Sequence, residues 1–301
     1  MAAAIRLDYR RTPSARRYMA GALWPKARAD GGPVVPEIAA QWRDYRVRDH
    51  DVADFCALAG VWPSEWVPFL LPHAIGFRLQ LALLCHPRFP VPIWRVLQIR
   101  NHLLQHRPIP LGASLDFAAR IVAHRILEKG LEVDVHTTVA FGRDVPWESL
   151  NTFYARGSFG APTAEASPLA DAPEIESDNE TRWRMPAARR AWRACELTGD
   201  YNPLHLWTPY ARRAGFPAAF HHPQRVLGYC TTHPLAPMPD EPQRLDAWLK
   251  GPVPYGADVA LRASGEERDV AFALTTAHDP RPAIVGHLRR AWGHERLPQV
   301  G

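Results

Sequence analysis

Two short patterns and a probable helix each occur twice in this chain, in the same order, and that recurrence constrains its architecture more than any other feature. Cys56-Ala-Leu58-Ala-Gly60 returns as Cys195-Glu-Leu197-Thr-Gly199, and Pro108-Ile-Pro110-Leu-Gly112 returns as Pro252-Val-Pro254-Tyr-Gly256. Between these anchors each half carries a run suited to a helix, Pro72 to Cys85 ahead of His86-Pro87 and Pro223 to about Cys230 ahead of His233-Pro234. One match of this length arises by chance, but three in register point to a duplicated unit. The 301 residues also exceed a usual single core.

On this basis residues 1–35, basic and ending in Gly31-Gly32-Pro33, read as an extended lead-in, and 36–160 as a first domain. Residues 161–180, rich in Pro, Ala, Ser and acids, read as a linker before a second domain over 181–297. Leu131 to Val139 alternates apolar and polar residues as a half-buried strand does. Further strands are expected at 191–197, 245–250, 257–263, 270–275 and 283–290.

Composition is ordinary for a globular protein, 47% hydrophobic and 22% charged. No run approaches the ~20 apolar residues of a membrane span, and the basic N-terminus is not followed by an apolar signal core, so a cytoplasmic protein without a membrane span is expected. The four cysteines lack C-x-x-C spacing and read as buried free thiols. The net charge of +5 is carried almost wholly by arginine. Its planar fork suits phosphate, with Arg212, Arg213 and Arg225 as local candidates. No nucleic-acid-binding signature accompanies that charge. Neither G-x-G-x-x-G nor a P-loop is present, so nicotinamide, flavin and ATP are not implied. Ser158 lacks the spacing of a nucleophile elbow. His205, His221, His222 and His233 lack metal-ligand spacing, so no metal is expected.

Chemistry concentrates in Leu197-Thr-Gly-Asp200-Tyr-Asn202-Pro203-Leu-His205, which packs a carboxylate, an amide and an imidazole around one proline. Pro203 fixes its own φ and pushes Asn202 toward extended geometry, so Asp200 and His205 should lie across a bend. A water held between them could lose a proton to the aspartate while the imidazole orients it. An Asp cap followed by Pro and a surface His is the bland reading of the same string.

Gly199-Asp200-Tyr201-Asn202-Pro203-Leu204-His205, followed by Ala211 and Gly215-Phe216, resembles the signature of MaoC-like dehydratases, the R-specific enoyl-CoA hydratases of hydratase 2 type. The resemblance implies an α+β double hotdog, each domain a long central helix wrapped by an antiparallel sheet. It implies a hydro-lyase interconverting trans-2-enoyl and (R)-3-hydroxyacyl thioesters, with Asp200 and His205 catalytic and Asn202, His222 and Gln224 binding substrate. No cofactor is implied, because the substrate itself carries coenzyme A or the phosphopantetheine of an acyl carrier protein; a homodimer is compatible with the reading. The first half has Val61 in the place of Asp200 and Glu65 or Trp66 in that of His205, so one catalytic centre per chain is expected, carried by the second half, with the first half kept as scaffold and as a wall of the acyl pocket. Phe220-His221-His222-Pro223 departs from the family's h-A-H-G, where the glycine N–H polarises the thioester carbonyl. Pro223 has no N–H, so either the donor shifts to Gln224 or the chain is a non-catalytic acyl-thioester-binding or subunit-partner protein.

Overall fold

The computed structural model describes residues 5–22, 35–163, 165, 171–233, 240–290 and 297. Its elements run β1 (Ile5–Tyr9), α1 (Ala15–Ala22), β2 (Ile38–Arg46), α2 (Asp49–Ala59), α3 (Leu71–Leu84), β3 (Val96–Gln105), β4 (Ser114–Leu127), β5 (Gly130–Phe141) and β6 (Asp144–Arg156). The second half continues with β7 (Glu180–Arg184), α4 (Ala191–Thr198), α5 (Thr208–Arg213), α6 (Pro223–Thr232), β8 (Gln243–Leu249), β9 (Asp258–Glu266), β10 (Asp269–Thr276) and β11 (Asp279–Arg290).

The duplication read from the anchors is visible in the strand order. One sheet runs β1-β2-β4-β5-β6-β3-β8-β11-β10-β9-β7, so across the β3/β8 seam β3-β6-β5-β4-β2 is mirrored by β8-β11-β10-β9-β7, and β1 is added at the edge of the first half. β3 and β8 pair antiparallel, from Arg100 opposite Trp248 to Gln105 opposite Gln243. The repeated C-x-L-x-G patterns end equivalent helices: Gly60 (φ 67°) and Gly199 (φ 74°) are left-handed caps whose N–H groups donate to Cys56 O and Cys195 O. The repeated proline patterns also correspond, Pro110 bridging Trp66 and Pro254 bridging Phe220.

Pro72 in the first turn starts α3 without wasting a backbone donor. All of α3 except Arg78 is buried, and the helix packs on β2, β4 and β5 as the central helix of the first half. Helix α6 is its shorter counterpart and lies against α2. A side chain on Gly228 would run into Ala59, so glycine is what allows that approach.

Three expectations change. Residues 191–197 form helix α4 rather than a strand, because their buried positions, Ala191, Ala194, Cys195 and Thr198, recur at helical spacing. The lead-in is not simply extended: β1 pairs parallel with β2, and α1 buries Tyr18. β5 is buried on both faces along its first half, because Glu132 and Asp134 are covered and engage Arg100 and Arg125. In the segment expected as a linker, the Ser177 hydroxyl donates to Ala263 O, and Ala172 and Ile175 pack on Trp248, Ala273 and Val285. All four cysteines are buried free thiols. Among the described residues no helix is long and apolar enough to cross a membrane.

Candidate active site

Where α4 stops at Gly199, the chain enters a series of side-chain-capped turns. The Asp200 N–H donates to Thr198 Oγ1 (3.2 Å), the Asn202 N–H to Asp200 Oδ1 (3.0 Å) and the Leu204 N–H to Asn202 Oδ1 (3.1 Å). Pro203 then opens one 3-10 turn ending at His205. These local bonds explain the residue types: Asp and Asn each satisfy the backbone two residues on, and Pro fixes the turn. Asn202 therefore has its carbonyl oxygen engaged and only Nδ2 left to donate.

The turn brings Asp200 and His205 together. His205 Nδ1 donates to Phe220 O at 3.0 Å, which directs Nε2 toward Asp200 Oδ2 at 3.5 Å. That separation is long for a direct hydrogen bond and fits one water held by both groups. The Tyr255 hydroxyl donates to His205 O, and Phe220 meets the ring edge-on. Burial opposes ionisation of Asp200, yet the adjacent His205, the His222 ring and the Asn202 N–H hold its carboxyl below the usual carboxylate range.

His222 is placed behind this pair. Its Nε2 donates to Asp200 O (3.1 Å), and its ring stacks on His205 with centroids 3.8 Å apart at 23°. Burial pushes its pKa down to about 3, so it is a neutral donor. Asp200, His205 and His222 are the described residues whose ligand atoms cluster closely enough for a metal ion. The fit is poor: near-parallel rings point their in-plane lone pairs side by side rather than at one centre, and His222 Nε2 already serves Asp200 O.

The dyad faces a cleft that both halves build. Asp200, Asn202, His205 and Pro223 form one side, and Phe77, Leu81, Ile93 and Phe153 of the first half form an apolar end. A second, largely apolar hollow shares Leu97, Gln98, Phe220 and Pro223 with it and extends to exposed Lys250 and Gly251.

Other expected site residues lie elsewhere. The Gln224 side chain is buried outside the cleft walls and has no hydrogen-bond partner; its contribution can come only from its N–H at the start of α6. Arg225 is buried with Nε donating to Leu58 O, and Arg212 Nε donates to Pro217 O. Burial keeps Arg225 from clamping phosphate as expected, whereas Arg212 and Arg213 are exposed. Glu65 is exposed. Two residues near the site carry no local sequence signal. Tyr18 donates its hydroxyl to Gly199 O (2.6 Å), steadying the residue before Asp200, and Gln98 enters the cleft from β3.

Known proteins share this fold. No protein-family model matches the chain. The 3-hydroxyacyl-thioester dehydratase X of Mycobacterium tuberculosis is 27% identical over 206 residues, 68% of this chain and 72% of that protein. The crystal structure of HtdX from the same organism superposes with a TM-score of 0.70 at 22% identity, covering 84% of this chain and 99% of that one. A MaoC-like dehydratase from Phytophthora capsici also gives 0.70, at 15% identity over 88% of this chain and 98% of that one. A further M. tuberculosis protein described as having a double hotdog fold gives 0.57, at 13% identity over 90% of this chain and 99% of its own. The protein has the double hotdog fold, and the resemblance carried by its Asp200–His205 motif is to MaoC-like dehydratases.

Proposed function

We propose that the protein is a hydro-lyase interconverting trans-2-enoyl and (R)-3-hydroxyacyl thioesters. The observation that carries this reading is the 3.5 Å separation of Asp200 Oδ2 and His205 Nε2 at the wall of a largely apolar cleft. In hydration, Asp200 takes a proton from the bridging water, and the water oxygen bonds to the β-carbon. The C=C electron pair moves toward the thioester carbonyl, and the α-carbon receives the proton from His205 Nε2. His205 Nδ1–H stays on Phe220 O throughout, so the exchanged proton is the one on Nε2. Proton transfer from Asp200 back to His205 resets the pair, and dehydration is the reverse.

The buried end at Phe77, Leu81 and Phe153 receives the acyl chain, and the side of Lys250 and Gly251 receives the pantetheine arm of coenzyme A or of an acyl carrier protein. Asn202 Nδ2 and the Gln224 N–H are donors for the substrate, while His222, engaged with Asp200 O, positions the dyad. The steps need only these acid and base groups. Buried free thiols suit a reducing, cytoplasmic setting.

Pro223 favours one other reading, a non-catalytic acyl-thioester-binding relative, because it removes a backbone donor from the start of α6. Incubating the protein with a short enoyl thioester in water separates the two. Loss of the enoyl absorbance is expected from the enzyme, whereas binding without loss selects the non-catalytic relative.

A further inference from the structure

The pairing of β3 with β6 slips between Gln98 and Arg100, one residue after the seam between the two hollows begins at Leu97. Such bulges re-aim a side chain out of the regular alternation. Gln98 lines both hollows, as do Leu97, Phe220 and Pro223, so these four mark their junction. Both the amide oxygen and the amide nitrogen of Gln98 are buried without a hydrogen-bond partner. Buried amides are normally paired, and one left open at the wall of a cleft is completed by what the cleft binds.

Across this junction stands Pro223, the one position where the helix start has no N–H to offer. As water adds to the β-carbon, negative charge builds on the thioester oxygen, and a donor placed there favours the transition state. We propose that the Gln98 amide N–H donates to the thioester carbonyl of the substrate, so that a strand of the first half supplies the donor that Pro223 withholds. The inference rests on the hydro-lyase reading. It makes the first half part of the reacting site. It also places the thioester at the junction, with the acyl chain toward Leu81 and the pantetheine arm toward Lys250. No covalent step passes through Gln98; it holds the carbonyl oxygen while the C=C electron pair moves.

The test uses the full-length protein with a short enoyl thioester. Gln98→Leu is expected to lower kcat about a hundredfold with little change in KM. Gln98→Met, closer in shape, controls for folding and should behave alike. Adding Pro223→Gly to Gln98→Leu restores a backbone donor and should recover part of the lost rate. A direct reading comes from the carbonyl stretch of an isotope-labelled enoyl thioester bound to Asp200→Asn, which leaves the substrate unreacted. A shift to lower frequency is expected there and should disappear when Gln98→Leu is added. Unchanged kcat in both Gln98 variants, or a carbonyl shift indifferent to Gln98, overturns the proposal. If the wild-type protein binds enoyl thioester but never hydrates it, the hydro-lyase reading falls, and the carbonyl shift still decides whether Gln98 makes this contact.

Discussion

Asp200 is half-buried, yet its neighbours keep it ionised, and that balance suits a base acting on one trapped water. Asp200→Asn keeps the shape, and its Oδ1 can still accept from the Asn202 N–H, but it removes the proton acceptor. Turnover is expected to fall about 10²–10⁴-fold with thermal stability nearly retained, measured as enoyl absorbance and a melting curve. Buried histidines, His73 among them, contribute to the response of stability to acid. His73 is fully buried in α3 with both ring nitrogens unpaired, and burial lowers its pKa from 6.5 to about 3. The unfolded chain then binds a proton that the folded chain refuses, so stability is full above pH 6.5 and falls as pH drops toward 3. The slope from one such group is at most about 1.4 kcal/mol per pH unit. Urea titrations at pH 7 and 5 should show a smaller loss for His73→Phe than for the wild type.

At the scale of elements, the site depends on where α4 ends. Gly199 takes a positive φ, and a side chain there would meet the Tyr18 hydroxyl and Arg78. Gly199→Ala should therefore displace the Asp200 turn, with roughly 1–2 kcal/mol of backbone strain and a loss of kcat out of proportion to the loss of stability. Tyr18→Phe removes only the bond to Gly199 O; about 1 kcal/mol of stability and a smaller fall in kcat are expected. These contacts also explain what the sequence revealed. The closeness of Asp200 and His205 was legible because the turn is local: Asp, Asn and Pro each shape the segment that carries them. Helix α4 was not, since a short apolar run looks alike as helix or strand until its burial spacing is seen. Tyr18 and Gln98 reach the site from distant elements and leave no mark near the motif.

For the whole molecule, the repeated anchors foretold two matching halves, and the mirrored strand order bears out the duplication. The first half was expected to wall the pocket of the second, and residues of both halves line one cleft. The first half has lost the acidic residue at Val61 but still supplies Phe77, Leu81 and Phe153 to the working cleft. Leu81→Trp should shorten the apolar end. Turnover of short enoyl thioesters is then expected to persist while kcat/KM falls for longer chains, in a series of increasing acyl length. Glu65→Gln, at an exposed residue outside the cleft, should leave turnover unchanged. Following enoyl-thioester absorbance with the wild type and with Asp200→Asn checks whether Asp200 and His205 activate water for addition to an enoyl thioester. The expected result is hydration by the wild type and binding without hydration by the variant; near-native turnover in Asp200→Asn, or none in a wild type that binds the thioester, would contradict it.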